Sequence, residues 1–172
     1  MCKQCEINPV YIFTNKRKIC KNCFIKWFRK KVLYSMRKFS MAKKGDIISF
    51  KRNNNFRNVV LGDVINYYAT RFPVEIVEFP KKSNKIALEN TMDVEAENII
   101  DNLANKKLKT KNLVVDGKFI KPLVLFLDKE VLLYAQLNHL KFIRPKKKYS
   151  FLDELEEKHP EVKRAIVNNF LD

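Results

Sequence analysis

Four cysteines constrain this chain more than any other feature. They stand at Cys2, Cys5, Cys20 and Cys23, spaced C-x2-C-x14-C-x2-C, and the chain has no others. Two thiolates separated by two residues share one tight knuckle, and two such knuckles supply four sulfurs to one tetrahedral ion. The spacing is that of a zinc ribbon. Disulfides and an iron–sulfur cluster are the rivals. A cytosolic setting disfavours the first, and cluster motifs usually space their cysteines differently. The expectation is one structural Zn²⁺ with no open coordination position.

The segments around the cysteines fit this reading. Val10 to Phe13 reads as a short strand, and Thr14 to Lys18 as a basic turn. A helix is expected over residues 21–41, with Phe24, Phe28, Val32, Met36 and Phe39 as its apolar stripe. Lys26, Arg29, Lys30, Arg37 and Lys38 occupy its other faces. Core packing explains Phe24 and Phe28; Trp27 and Tyr34 stay open between core and contact.

Charge points to an anionic partner. The chain holds 35 Lys and Arg against 19 Asp and Glu, a formal net charge of +16. Nucleic acid is the commonest partner of such a chain. The plain alternative is compositional, because Lys and Asn richness also follows from an AT-rich genome. Gly45, Gly62 and Gly117 are the only glycines. Phosphate cradles need closely spaced glycines so that backbone N–H groups can approach the ligand. A Walker loop and a dinucleotide fingerprint are therefore excluded. No run of 18 apolar residues exists, so no membrane span is expected. The start of the chain, MCKQCEINPV, has no signal-like apolar stretch, which makes a cytoplasmic location the default.

Beyond Gly45-Asp46 the pattern is α/β. Ile47 to Phe50 reads as a strand, Val59 to Arg71 as a helix and Val74 to Phe79 as a second strand, with Lys81 to Lys85 a loop. A β-α-β unit seeds a parallel sheet. Residues 92–105 read as a helix, and Asn112 to Val115 and Lys121 to Leu127 as extended segments. Asp128 to Asn138 reads as a helix, Phe142-Ile143 as a short strand and Lys146 to Lys148 as a basic loop. Ser150 caps a helix with Asp153 as its N3 acid, and Pro160 opens a last one over 160–171. Asp93 and Glu95, two apart, point to different sides of their helix and read as first-turn acids favoured by its dipole. Glu154, Glu156 and Glu157 read as a solvated face. His139 and His159 lack a partner nucleophile, so neither is expected to act in catalysis.

The order of these segments resembles the TtuA/NcsA-type tRNA 2-thiouridine synthetases, the superfamily that includes the cytosolic thiouridylases. Four stretches carry the resemblance: the ribbon running through its helix into KKGDIISF, then ENTMDVEAENIIDNLANKKL, KPLVLFLDKEVLLYAQLNHLKF and FLDELEEKHPEVK. The second is similar to the family's GHNLDDEAQTVLMNLLRGD, and the third to KPLRYIPEKEVALYALLRGLPF. The resemblance implies an α/β fold: an N-terminal zinc ribbon and basic helix over 1–44, then a reduced PP-loop ATPase-like parallel sheet flanked by helices over 45–172.

Departures from the family limit the activity implied. Where the family carries the PP-loop S-G-G-K-D-S, this chain has Ser49-Phe50-Lys51-Arg52-Asn53-Asn54-Asn55. Gly-His-Asn has become Glu89-Asn90-Thr91, and Val94 replaces one of two aspartates. The family's two catalytic cysteines have no counterpart beyond Cys23. The resemblance thus implies a non-catalytic tRNA-binding relative, or a partner subunit of an active thiolase paralogue, with a homodimer or heterodimer as the assembly. Carried over by position, its RNA-holding surface is Lys16, Arg17, Lys18, Lys26, Arg29, Lys30, Arg37 and Lys38. An active minimal tRNA-modifying enzyme and a zinc-ribbon protein-interaction module are the alternatives.

Overall fold

The computed structural model describes residues 1–2, 5, 8–106, 114–143 and 150–171. The Lys146 to Lys148 loop and the Asn112-Leu113 end of one expected extended segment lie outside the described residues. A two-stranded antiparallel hairpin, β1 (Tyr11–Ile12) and β2 (Lys18–Ile19), leads into α1 (Lys21–Lys38). The remaining strands are β3 (Ile47–Phe50), β4 (Glu75–Glu78), β5 (Lys85–Ala87), β6 (Val115–Asp116) and β7 (Phe119–Ile120). They form one sheet in the order β4-β3-β5-β7-β6, parallel except for the edge strand β6. The helices are α2 (Phe56–Ala69), α3 (Met92–Ala104), α4 (Asp128–Leu137), α5 (Phe151–Lys158) and α6 (Val162–Asn168). The expected α/β class, a parallel sheet flanked by helices, is what forms.

Helix α1 follows its stripe. Phe24, Phe28, Val32 and Met36 are buried. The ring of Phe28 stacks between Phe126 at 4.0 Å and Tyr134 at 4.2 Å, which ties α1 to α4 and the turn before it. Trp27 packs edge-on to Phe13 at 4.9 Å and to Phe126 at 5.9 Å, so it belongs largely to the core. The helix ends in a Schellman turn: Met41 N–H donates to Met36 C=O, Ser40 N–H donates to Arg37 C=O, and Ser40 takes a positive φ. Helix α4 ends the same way, with His139 at φ 55°, so that histidine turns the chain.

Several local expectations need correction. Helix α2 starts at Phe56, not Val59, because the Asn55 side chain accepts the Arg57 N–H and caps it. Lys85–Ala87 is a strand, not the end of a loop. Lys121 to Leu127 is a run of turns rather than an extended segment, and it buries Leu123, Val124, Phe126 and Leu127. Phe142-Ile143 contributes only an isolated bridge from Ile143 to Asn55. The last helix is Val162–Asn168, shorter than 160–171.

Gly62 shows how closely α2 lies on the sheet. A Cβ there would stand 3.0 Å from the buried ring of Phe50 on β3. Gly62→Leu is therefore expected to lower stability by about 1–3 kcal/mol through overpacking. A fall in the urea midpoint at unchanged m-value is the readout.

Candidate metal centre and charged faces

The N-terminal cysteines converge. One sulfur from each of Cys2, Cys5, Cys20 and Cys23 lies within 4.8 Å of the others. Cys5 Sγ is 3.1 Å from Cys20 Sγ and 3.7 Å from Cys23 Sγ, far beyond the roughly 2.05 Å of a disulfide. Cys2 and Cys20 are buried, and Cys20 is the N-cap of α1. The backbone of Cys23 and the thiol of Cys5 hold the Cys20 thiol below its ordinary range. Burial and hydrogen bonds to the neighbouring thiols push Cys23 up to about 12. Four sulfurs this close cannot all ionise unless a cation neutralises them, and their convergence is the arrangement that could hold one metal ion.

The sequence-derived cations separate into two groups. Lys16, Lys18, Lys26, Lys30, Arg37 and Lys38 are exposed. Lys26, Lys30 and Arg37 lie at i, i+4 and i+11 along α1, close to one line about 16 Å long. Exposed Tyr34 stands four residues beyond Lys30. Arg29 and Arg17 are turned inward instead. Arg29 Nε donates to Tyr134 Oη at 2.9 Å, and Tyr134 Oη donates to Asp63 at 2.7 Å. Arg17 lies over the Phe13 ring at 4.3 Å. The opposite charge gathers elsewhere: a groove of about 1040 Å³ beside α3, α4 and α5 is lined by Glu97, Asp101, Asp128 and Glu157, among others.

Sequence reasoning missed a set of buried ions. Glu130 is fully buried, accepting from Tyr11 Oη at 3.0 Å and from Arg164 at 2.7 Å. Through it the ribbon hairpin is bonded to α4 and α6. Lys163 reaches Asp93 and Asp153 at 2.6 Å and Glu156 at 2.9 Å. Glu156 is thus not part of a solvated face. Asp93 also accepts the N–H of Asp128 at 2.7 Å, so it caps α4 rather than serving only its own helix.

In an open parallel sheet, ligands bind where the strand order reverses, beyond the carboxyl ends of the strands. Here that point lies between β3 and β5. Three backbone N–H groups of the loop after β3 and the first turn of α2 are taken by asparagine oxygens: Asn53 by Asn58 at 3.0 Å, Asn55 by Asn53 at 2.9 Å and Arg57 by Asn55 at 3.1 Å. Glu89, following β5, accepts from the side chains of Asn53 and Asn55 at 3.4 Å and 3.2 Å. Arg57 is paired with Asp128, which also accepts from Thr91 at 2.7 Å. A carboxylate of the protein itself, Glu89, thus joins the loop after β3 to the end of β5 at this point.

No family model matches the chain, and no curated protein matches its sequence. Among solved structures it is similar to the U34-tRNA thiolase NcsA from Methanococcus maripaludis with its [4Fe-4S] cluster. The TM-score is 0.78 at 20% identity, over 98% of this chain and 85% of that one. The two chains share a fold. At this identity the likeness is one of architecture, and it extends over the ribbon, α1 and the α/β body. Among the described residues no helix is long and apolar enough to cross a membrane.

Proposed function

We propose that this chain is a non-catalytic, tRNA-binding relative of the tRNA 2-thiolation enzymes, braced by one zinc ion and acting as partner subunit to an active thiolase. The observation that carries the loss of catalysis is the loop after β3. In a PP-loop the backbone N–H groups face a phosphate; here Asn53, Asn55 and Arg57 N–H groups are spent on asparagine side chains. Glu89 adds a carboxylate to the same loop, and a negative charge there disfavours a phosphate.

Sulfur spacing favours zinc over a cluster. Around one tetrahedral Zn²⁺ with bonds near 2.3 Å, thiolate sulfurs lie about 3.8 Å apart. Around a four-iron cube they stand roughly 6 Å apart. All four here fall within 4.8 Å. The ribbon 1–44 then serves as a braced platform, and the body 45–172 as its support.

The RNA face is the exposed set Lys16, Lys18, Lys26, Lys30, Arg37 and Lys38. Such contacts position a phosphate backbone without reading its sequence, and they make affinity depend on salt. Filter binding of tRNA is expected to weaken at least tenfold between 50 and 200 mM salt. Undetectable binding at the lower salt would sink the reading. ATP-dependent adenylation of tRNA by the purified chain would replace it with an active minimal tRNA-modifying enzyme. Stable association with a thiolase and no RNA affinity would make the ribbon a protein-interaction module.

A further inference from the structure

A crevice of about 350 Å³ lies between the ribbon hairpin, α1 and the start of α6. Its walls include Phe13, Arg17, Trp27, Lys31, Glu161 and Arg164. Three cations thus face one carboxylate. None of the three is idle in the fold. The Nε atoms of Arg17 and Arg164 are both buried, and neither has a hydrogen-bond partner among the described residues. Glu161 approaches Arg164 Nε only to 3.5 Å, an ion pair without a hydrogen bond. Both Nε atoms are closed off from solvent, so what the crevice offers a ligand is the positive charge of the two guanidinium groups rather than these donors.

The aromatic groups supply the other half of a ligand site. Trp27 and Phe13 meet edge to face at 4.9 Å and are both partly exposed at this crevice. Lys31 spans it, donating to Leu125 C=O at 2.6 Å, with its ammonium 5.0 Å from the Trp27 ring centre. Burial holds Lys31 down to about 8 against the opposing pull of the Glu130 charge, and the Arg164 charge adds to the lowering. An added negative charge would relieve that crowding. Guanidinium forks suit phosphate oxygens, and aromatic faces suit any base.

We propose that this crevice is a nucleotide subsite: Arg17, Lys31 and Arg164 hold one backbone phosphate of a looped or single-stranded RNA segment, and Trp27 with Phe13 takes the adjoining base. The subsite rests on the tRNA-binding reading and deepens it. The line of cations along α1 follows the backbone, and the crevice fixes one point of it.

Trp27 is the chain's only tryptophan, so its fluorescence reports on this crevice directly. Titration with tRNA and with a short single-stranded oligonucleotide is expected to give a saturable change in emission. Arg17→Ala is expected to weaken tRNA binding about tenfold and to reduce the salt slope by about one contact, while Lys82→Ala, exposed in the loop before β5 and outside the RNA face, leaves both binding and the emission change intact. Arg164 is a poor target because it also neutralises buried Glu130. Lys31→Met is the second variant, and far-UV circular dichroism checks that both stay folded. Salt-dependent tRNA binding with silent Trp27 emission and wild-type affinity in both variants would overturn the subsite and leave the tRNA reading standing. Absence of tRNA binding would remove both. An equal emission change with inorganic phosphate alone would also overturn the proposal, by assigning the crevice to a free anion.

Discussion

Stripping the metal from the N-terminal ribbon is expected to lower the thermal midpoint of the whole chain by about 10 °C. The hairpin β1–β2 pairs only two residues from each strand, which cannot stand alone. Its stability must come from the ion and from what it packs on. Structural zinc in isolated finger peptides contributes about 10–16 kcal/mol of apparent binding free energy. Here the ribbon continues into α1, whose Phe24, Phe28, Val32 and Met36 lie in the common core, and Tyr11 is bonded to buried Glu130. Loss of the ion therefore frays the hairpin and exposes one side of that core. About 3 kcal/mol of the total would be lost, which corresponds to a shift of about 10 °C for a chain of this length. Cys20→Ser should reproduce the effect, since Cys20 is the N-cap of α1 and one of the four sulfurs proposed to hold the ion. Scanning calorimetry with and without chelator is the measurement, with metal analysis alongside. One zinc per chain is expected. An unchanged midpoint after complete zinc removal would show that the sulfurs do not brace the fold, and iron with visible absorption near 400 nm would show a cluster instead.

The cysteine spacing was legible because four like ligands at fixed offsets admit few geometries. The stripe of α1 was legible for a related reason: Phe24, Phe28, Val32 and Met36 recur at a helical period over a long window. Shorter elements were harder to read. Lys85–Ala87 has three residues and no alternation to mark it, and only its place between β3 and β7 makes it a strand. The segment Lys121 to Leu127 is apolar throughout, and a short apolar run does not distinguish a strand from a buried turn. Asp116-Gly117 was an available signal: it turns the β6–β7 hairpin and puts the strand at Phe119–Ile120, two residues earlier. Asn55 was another, an N-cap hidden in a run of three asparagines. The buried ions were beyond sequence reasoning. Lys163 lies 70 residues from Asp93, and nothing local marks it as different from the other lysines.

Lys163 is where the other large effect is expected. Its side chain is 3% exposed and meets carboxylates from two other helices, Asp93 on α3 and Asp153 and Glu156 on α5. It therefore fastens α6 to both. Burial works to lower the Lys163 ammonium, but the bonds to Asp153, Asp93 and Glu156 outweigh it and leave the group well above its ordinary value. Burial likewise works to raise Asp153 and Glu156. The bond from Lys163 overcomes it at Asp153, and those from Lys129 and Lys163 do so at Glu156, so both stay below the usual carboxylate range. Asp93 is the exception: burial and the neighbouring Asp128 charge raise it.

Removing the cation leaves three carboxylates crowded together, with only Lys129, bonded to Glu156, to offset them. Lys163→Met is expected to cost about 3–5 kcal/mol at pH 7, the usual penalty for breaking one side of a buried ion group. Asp153, 32% exposed, contributes least to this because solvent screens it. The pH dependence separates the electrostatic part from lost packing. In the wild type, the depressed Asp153 and Glu156 contribute stability that is complete above about pH 4.5 and fades as pH falls through their folded values. The raised Lys163 contributes stability that is complete below about pH 10 and fades as pH rises through its own folded value. In the variant the carboxylates lose their cation and rise above their unfolded values, so protonation now relieves strain. The stability gap between wild type and variant should consequently narrow by half or more between pH 7 and pH 4. Urea unfolding at each pH measures it. A gap that stays constant across that range would mean that Lys163 acts by filling space, and that the three acids do not depend on its charge.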